Sequence, residues 1–244
     1  GDYDVDGAAS VALIQRFLRA HGQEAATYIP DRLTEGYGPT PASMTALAEE
    51  GATLIITVDC GTAASPAIEA ANARGVDVIV VDHHQADEVL PQAFAVLNPN
   101  RQDDLSGHGH LAAALVATAR ALRSSAAHAQ NAEPDLLALL DLVALATVCD
   151  VVPLKGVNRA LVAKGLKVLR HRHNAGLRAL ADVARIDAAP TCYTLGYILG
   201  PRINAGGRVG ASGLGAKLLA TGDESEARVI AAKREALNTG RKVI

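Results

Sequence analysis

Short apolar segments alternate with helical segments through roughly the first 100 residues, and no other feature of the sequence restricts the fold as strongly. The segments at 53–58 and 76–81 are rich in Ile, Val and Leu, which is typical of parallel strands covered on both faces. Each of these segments borders a helical pattern that ends at a glycine. The alternation therefore predicts an α/β fold with a parallel sheet flanked by helices.

The remaining pattern predicts further elements and a change of character along the chain. Two more strands are expected at 24–29 and 94–97, and helices at 8–21, 41–50 and 65–74. From about residue 107 only helices are expected, at 111–123, 134–147, 158–170, 177–183 and 223–241, with a glycine-rich loop at 196–215. We expect an α/β domain over residues 1–155 and a mainly helical segment over 156–244.

Charge divides the sequence into an acidic and a basic part. Residues 1–150 contain seven Arg, no Lys and twenty Asp or Glu, whereas residues 151–244 contain sixteen basic and six acidic residues. Seven basic residues and no acidic residue lie from Lys155 to Arg178. An acidic part suits divalent cations and a basic part suits a polyanion, although a solvated helix face would give the same basic run.

Composition argues against several other classes of protein. No apolar run is long enough to cross a membrane, and we expect a cytoplasmic protein. The three cysteines lack the paired spacing of a zinc site and are expected to be reduced thiols. With five Tyr, two Phe and no Trp, an aromatic platform that stacks nucleic acid bases is not expected.

Three clusters of potential metal ligands lie beside the predicted strands and the first helix. They are the segment 2–7 (Asp-Tyr-Asp-Val-Asp-Gly), Asp59 and the segment 82–84 (Asp-His-His). The second and third clusters each end an apolar strand, and ligands of open parallel sheets bind beyond the carboxyl ends of the strands. We therefore expect the clusters to share one crevice.

The ligand types indicate which ions would bind there. Asp2 and Asp4 are two residues apart and would point the same way from an extended segment. Carboxylates and imidazoles without thiolates favour Mn²⁺ or Mg²⁺, and such a set can hold two ions about 3.5–4 Å apart, as in enzymes that cleave phosphate esters. Any single Asp of this kind can instead be a helix cap, and a His pair can be ordinary packing.

Asp150 is a fourth candidate, because a carboxylate at the carboxyl end of an apolar helix opposes the helix dipole. A metal ion would compensate for this unfavourable position. The alternative is a carboxylate exposed to solvent in the last turn of the helix.

These segments resemble the four motifs of the DHH phosphoesterases. The matching stretches are 2–7, 58–61 (Val-Asp-Cys-Gly), 82–84 and 146–154 (Ala-Thr-Val-Cys-Asp-Val-Val-Pro-Leu). Further stretches resemble the RecJ branch of that superfamily: 29–32 (Ile-Pro-Asp-Arg), 35–38 (Glu-Gly-Tyr-Gly), 200–208 (Gly-Pro-Arg-Ile-Asn-Ala-Gly-Gly-Arg) and 235–238 (Glu-Ala-Leu-Asn) with Arg241. The resemblance covers nearly the whole chain.

The resemblance implies a role for each of these residues. The implied ligands of two Mn²⁺ or Mg²⁺ ions are Asp2, Asp4, Asp59, His83 and Asp150. Asp82 would hold an imidazole in one tautomer, and His84 would face the scissile phosphate. From their charge and the glycine-rich loop, rather than from the resemblance, we expect Arg202, Asn204 and Arg208 to approach the nucleic acid backbone, although the two arginines could instead bridge helices.

The resemblance also implies an activity and partners. The expected reaction is 5′-to-3′ exonucleolytic hydrolysis of single-stranded DNA in repair and recombination, by a monomer that meets a single-strand-binding protein or a helicase. Two kinds of alternative remain: another DHH phosphoesterase (a nanoRNase, a cyclic-dinucleotide phosphodiesterase or a pyrophosphatase), and a non-catalytic DHH module that binds nucleic acid. The glycine-rich stretch 200–208 and the basic run favour a long polyanion, and five competent ligands favour an enzyme.

Two further expectations concern the extent of the chain and one local pattern. The resemblance implies a catalytic-core fragment, without the family strand before Gly1 and without the DHH-associated and oligonucleotide-binding domains beyond Ile244. His108 and His110 lie in a glycine-rich start of a predicted helix, where they could touch substrate or serve only as an ordinary helix terminus.

Overall fold

A computed structural model describes residues 1–32, 34–86, 88–101, 115, 117–122, 135–205 and 212–241. Within this part of the chain, one sheet of three parallel strands has the order β1 (Leu54–Val58), β2 (Asp77–Val81) and β3 (Ala95–Leu97). Val58 pairs with Val81, and Val81 pairs with Leu97. The three strands therefore end at one level, and the residues that follow them lie along one edge of the sheet.

Three helices accompany the sheet, as the alternating pattern predicts. They are α1 (Val5–Ala20), α2 (Pro41–Glu49) and α3 (Ser65–Asn72). Thr40 begins α2 through a capping box with Ser43, and proline occupies the next position, where its missing N–H costs nothing. The predicted parallel α/β fold is confirmed.

The predicted strand at 24–29 is wrong, because this segment pairs with no described strand. The Nε2 of Gln15, on α1, donates to Ala25 O and Thr27 Oγ1 at 3.4 and 2.5 Å, and the amino group of Gly1 donates to Tyr28 O at 3.0 Å. These contacts tie the segment to α1 and to Gly1 instead. A strand also needs a neighbour, and the sequence pattern does not report whether one exists.

The second part of the chain is helical. A 3₁₀ turn over Leu136–Leu139 leads into α4 (Leu140–Cys149), followed by α5 (Gly156–Leu169), α6 (Ala175–Val183), a π-helix (Thr194–Leu199), α7 (Gly200–Asn204), α8 (Leu214–Ala220) and α9 (Glu224–Arg241). Residues 117–122 are helical, and the rest of the helix predicted at 111–123 lies mostly outside the described residues.

The loop predicted at 196–215 is wrong over 196–204, which is helical. A Cβ atom on Gly200 would lie 2.7 Å from Cys149 Sγ, closer than side chains can approach. This glycine therefore allows two helices to pack against each other, whereas in the sequence it resembles a breaker. Residues 206–211 lie outside the described part of the chain.

One hydrophobic core joins both predicted parts. Helix α1 is buried along Ala8, Ala12 and Leu13, and it packs against α4 and α8. A smaller cluster lies between the sheet, α2 and α3. The predicted division at residue 155 remains a prediction, but the core on which α1 depends includes residues from both sides of it. None of the described helices is long and apolar enough to cross a membrane.

A buried carboxyl group lies beneath α1. Asp141 of α4 is 3% exposed. Burial raises the pKa of Asp141 to about 6, although a hydrogen bond from its neighbour Leu142 and the nearby Arg16 guanidinium favour the charged form. Arg16 also donates to Leu219 O of α8 at 3.4 Å. The folded protein therefore holds a proton on Asp141 more tightly than the unfolded chain does.

Replacing Asp141 with Asn should make folding stability less sensitive to pH. Above the unfolded pKa the parent must either take up a proton on folding or bury a charge, so its free energy of unfolding falls relative to D141N as pH rises from about 4 to above 6, by up to about 3 kcal/mol. Urea titrations across this range would measure the difference. The exposed Asp187→Asn is the matched control and should follow the parent at each pH. A difference in free energy of unfolding between D141N and the parent that does not change with pH would contradict this expectation.

Candidate metal centre

The acidic segment before α1 folds back against the start of that helix. Asp4 is the N-cap of α1, and its Oδ1 accepts a hydrogen bond from the Gly7 N–H at 2.9 Å. A Cβ atom on Gly7 would lie only 2.5 Å from Asp2 O, so this position requires glycine for space. The fold therefore holds Asp2 and Asp4 close to the helix amino terminus, which favours negative charge.

Asp59 directly follows β1 and has a left-handed backbone with a φ of 57°. Its N–H donates to Val81 O at 3.0 Å, which extends the β1–β2 ladder by one residue. Asp and Asn tolerate this conformation better than other non-glycine residues. The side chain is almost fully buried, at the strand end where the sequence predicts a ligand.

Asp82 organises the residues that follow β2. Its Oδ1 accepts hydrogen bonds from the His83 N–H at 2.7 Å, the His84 N–H at 3.1 Å and His84 Nδ1 at 2.7 Å. Its Oδ2 accepts from the Thr62 N–H at 2.9 Å. Burial alone would raise the pKa of Asp82, but the bonds from His84 and Thr62 hold it well below its usual range. Asp82 is therefore a charged anchor for the His84 ring.

The five ligands implied by the resemblance come together, although they are far apart in sequence. Three groups of potential ligand atoms each lie within 4.8 Å of one another: Asp2, Asp4 and Asp59; Asp59, His83 and His84; and Asp6, His83 and Asp150. Asp59 belongs to two groups and His83 to two. The groups therefore form one continuous set, which we call the acidic cluster. Within it, His83 Nε2 lies 3.4 Å from Asp59 Oδ1.

Sequence reasoning missed Asp6 as a candidate ligand. Its Oδ2 lies 3.7 Å from His83 Nδ1, and it shares a group with Asp150. Asp6 lies in the segment 2–7, but it is also the second residue of α1. The helix dipole stabilises a carboxylate at that position, which is enough to explain an Asp there without a metal. Asp150 has an exposed side chain at the C-cap of α4, so the helical part of the chain also contributes to the cluster.

Tyr37 is a second residue whose part in the site the sequence did not reveal. Its hydroxyl donates to Asp59 O at 2.8 Å and lies 3.1 Å from His84 Nδ1. Its ring meets the His84 ring edge-on, with centroids 5.5 Å apart. The signal was the stretch 35–38, which resembles a RecJ motif but has no evident chemistry when it is read alone.

The acidic cluster is electrostatically unfavourable without cations. Burial raises the pKa of Asp59 far above its usual value, and the nearby Asp6, Asp4 and Asp2 raise it further. The pKa of Asp2 is also raised, first by burial. Buried carboxylates this close cannot all be charged unless opposite charge lies between them. Oxygen and imidazole ligands with this need fit divalent cations such as Mn²⁺ or Mg²⁺.

One of the predicted nucleic-acid contacts, Arg202, is bonded to other groups of the protein. Arg202 bridges α7 to α9 through Glu235, with Nη2 donating to Oε1 at 3.0 Å, and its Nη1 donates to Ile198 O at 2.8 Å. This is the helix-bridging alternative, and substrate binding by Arg202 or Asn204 remains a prediction. Arg208, His108 and His110 lie outside the described residues.

Comparison with known proteins shows the family of the chain. The fold and the acidic cluster define an α/β protein with a candidate divalent-metal centre at the carboxyl ends of its parallel strands. The chain belongs to the DHH family, whose N-terminal domain model matches residues 1–147.

Relatives within this family share the RecJ name. Over its whole length the chain is 42% identical to the single-stranded-DNA-specific exonuclease RecJ of Dickeya dadantii and 40% identical to that of Escherichia coli. It spans 44% of the length of each. A crystal structure of exonuclease RecJ bound to manganese matches all of the chain with a TM-score of 0.87 and 34% identity, and the chain covers 61% of that protein.

Proposed function

We propose that this chain is the catalytic core of a metal-dependent exonuclease that hydrolyses single-stranded DNA from its 5′ end in repair and recombination. The observation that carries the proposal is the convergence of Asp2, Asp4, Asp59, His83 and Asp150 into one acidic cluster. Similarity to RecJ exonucleases over the whole of this chain supports the same function, and one of those proteins was crystallised with manganese.

The proposed metal site uses the five implied ligands together with Asp6. When bound, two Mn²⁺ or Mg²⁺ ions would act as Lewis acids and lower the pKa of water. Asp59 and His83 each belong to two ligand groups, so both would be central to holding the ions. The buried Asp2 and Asp6 and the half-buried Asp4 would help to hold the ions near the strand ends.

The chain itself would orient the phosphate through His84. The side chain of His84 is about half exposed, so a substrate can reach it. The hydrogen bond to Asp82, opposed by partial burial, raises the pKa of His84 and favours the charged ring. Because Asp82 holds the Nδ1 proton, the second proton of a charged ring lies on Nε2, from which it can be donated to a phosphate oxygen.

The basic part of the chain would hold the strand by its phosphates. Helix α5 packs against α4, which ends at Asp150. Lys155, Arg159 and Lys167 are exposed on or beside α5. Contacts of this kind bind any sequence and weaken as salt rises. We further propose a cytoplasmic monomer whose partners, besides single-stranded DNA, are a single-strand-binding protein or a helicase.

A cleavage assay on the full-length natural protein tests this function. With Mn²⁺ present, a 5′-labelled single strand should release labelled mononucleotide from the first time point, while a 3′-labelled strand should shorten progressively. A duplex without single-stranded ends, a dinucleotide and pyrophosphate should be poor substrates. Preferential hydrolysis of the dinucleotide or of pyrophosphate would identify another DHH phosphoesterase, and binding without hydrolysis would identify a non-catalytic module.

A further inference from the structure

The π-helix exposes two aromatic rings that stack on each other. Tyr193, directly before Thr194, is 65% exposed and Tyr197 is 74% exposed. Their ring centroids lie 5.1 Å apart and the ring planes differ by 21°. Large exposed rings are costly in water, and such a pair more often marks a binding surface than a packing need.

The fold of the helix does not require these rings. Leu195 and Leu199, on the opposite face, are buried in the main core and anchor the helix. Among the described residues, neither tyrosine hydroxyl has a hydrogen-bond partner. A π-helix is rare, and its persistence as a local distortion is frequently linked to function.

The helix also lies against the segment that carries Asp150. Cys149 Sγ donates to Leu195 O at 3.4 Å. Asp150 is the next residue along the chain and belongs to the acidic cluster. The helix that carries the aromatic pair therefore packs against the end of α4 that leads to Asp150.

Basic side chains lie on the other side of the same helix. A pocket of about 250 Å³ is lined by Thr194 and Leu199 of the π-helix and by Arg170 and Arg178. Arg178 pairs with Glu224 at 2.6 Å, and Arg170 is exposed. Proteins that bind single strands combine rings, on which bases stack, with cations that meet the phosphates, and this part of the chain offers both.

We propose that Tyr193 and Tyr197 form a stacking platform for a base of the single strand, on the helix that packs against the end of α4. This inference rests on the proposed function. The low number of aromatic residues argues against such a platform only if the residues are scattered. Here the four-residue spacing on a helix brings two of the five tyrosines together. A planar base fits a pair of nearly parallel rings better than an aliphatic side chain does.

Binding to the full-length natural protein tests the platform. Anisotropy of a labelled single strand, and of the same backbone with abasic sugars, would be measured with Ca²⁺ in place of Mn²⁺ to limit hydrolysis. Changing both tyrosines to Ala should weaken binding of the base-containing strand by about tenfold and leave the abasic strand unaffected. The matched control, both tyrosines changed to Phe, keeps the rings and should bind like the parent. The slope of log affinity against log salt should not change, since no phosphate contact is lost.

Two outcomes would overturn the platform. One is a double Ala variant that binds the base-containing strand as tightly as the parent does. The other is an equal loss on both strands together with a lower melting temperature, which would mean that the rings support another part of the protein. The parent's release of nucleotides with Mn²⁺ is measured separately. If the parent releases no nucleotides but binding still depends on the bases and on the two rings, the exonuclease function is rejected and the platform stands. If the parent releases nucleotides but the rings make no difference to binding, only the platform is rejected.

Discussion

Asp59→Asn is expected to reduce Mn²⁺-dependent hydrolysis of single-stranded DNA by about a thousandfold or more, because losing a metal contributes several kcal/mol to the barrier. Asp59 belongs to two of the three ligand groups, so its replacement affects both proposed ions. Asn is the appropriate substitute, since the backbone φ of 57° would be strained with Ala. Initial rates at saturating Mn²⁺ on an end-labelled strand would measure the effect.

The matched control is Asp77→Asn. Asp77 is exposed at the start of β2, at the opposite end of the strand from the acidic cluster. This variant should keep the parent's rate within about twofold, since surface changes away from a site rarely matter. Near-normal hydrolysis by D59N with Mn²⁺ present would show that Asp59 is not a ligand in the catalytic site.

The same Asp59→Asn substitution should stabilise the fold when cations are removed and lose that advantage when they are present. In chelator at pH 7, a carboxyl group whose pKa is raised must take up a proton on folding, which costs up to about 4 kcal/mol relative to an ordinary Asp. Asn avoids this cost. Mn²⁺ at a hundred times its dissociation constant should stabilise the parent by about 2.7 kcal/mol per site, and D59N by much less.

Denaturant titrations of both proteins, in chelator and in Mn²⁺, would show whether D59N is the more stable protein without cations and the less stable one with them. In chelator, the difference in free energy of unfolding between D59N and the parent should depend on pH. A raised folded pKa makes the parent lose stability as pH rises above the unfolded value near 4. The advantage of D59N should therefore shrink as the pH is lowered toward about 4. An identical response of the two proteins to Mn²⁺ would contradict the proposed role of Asp59.

The sequence was most informative where one strand or helix determines the answer. The apolar segments at 53–58 and 76–81 became neighbouring parallel strands, because their buried residues fit only a sheet covered on both faces. Since parallel strands end at one edge, placing Asp59 beside His83 required only that topology. The approach of Asp150 from α4 could not be derived from strand ends. It rested on the unfavourable position of Asp150 in the helix dipole and on the resemblance to DHH motifs.

What the sequence could not show depends on contacts between distant segments. Residues 24–29 had the pattern of a strand, but pairing depends on a neighbour that the pattern does not describe. Gly200 was predicted to lie in a loop because glycine commonly ends helices. Glycine is also the residue that lets two helices pack closely, and the sequence does not distinguish these two uses. The stacking of Tyr193 on Tyr197 depends on a local helix geometry that residue counts ignore.

The most direct test of the metal centre is anomalous diffraction from crystals of the protein grown with Mn²⁺. The account predicts two strong anomalous peaks inside the acidic cluster, with Asp59 and His83 both within coordination distance and with Asp2, Asp4, Asp6 and Asp150 completing the ligand set. A crystal saturated with Mn²⁺ whose anomalous peaks all lie away from Asp59 and His83 would contradict it.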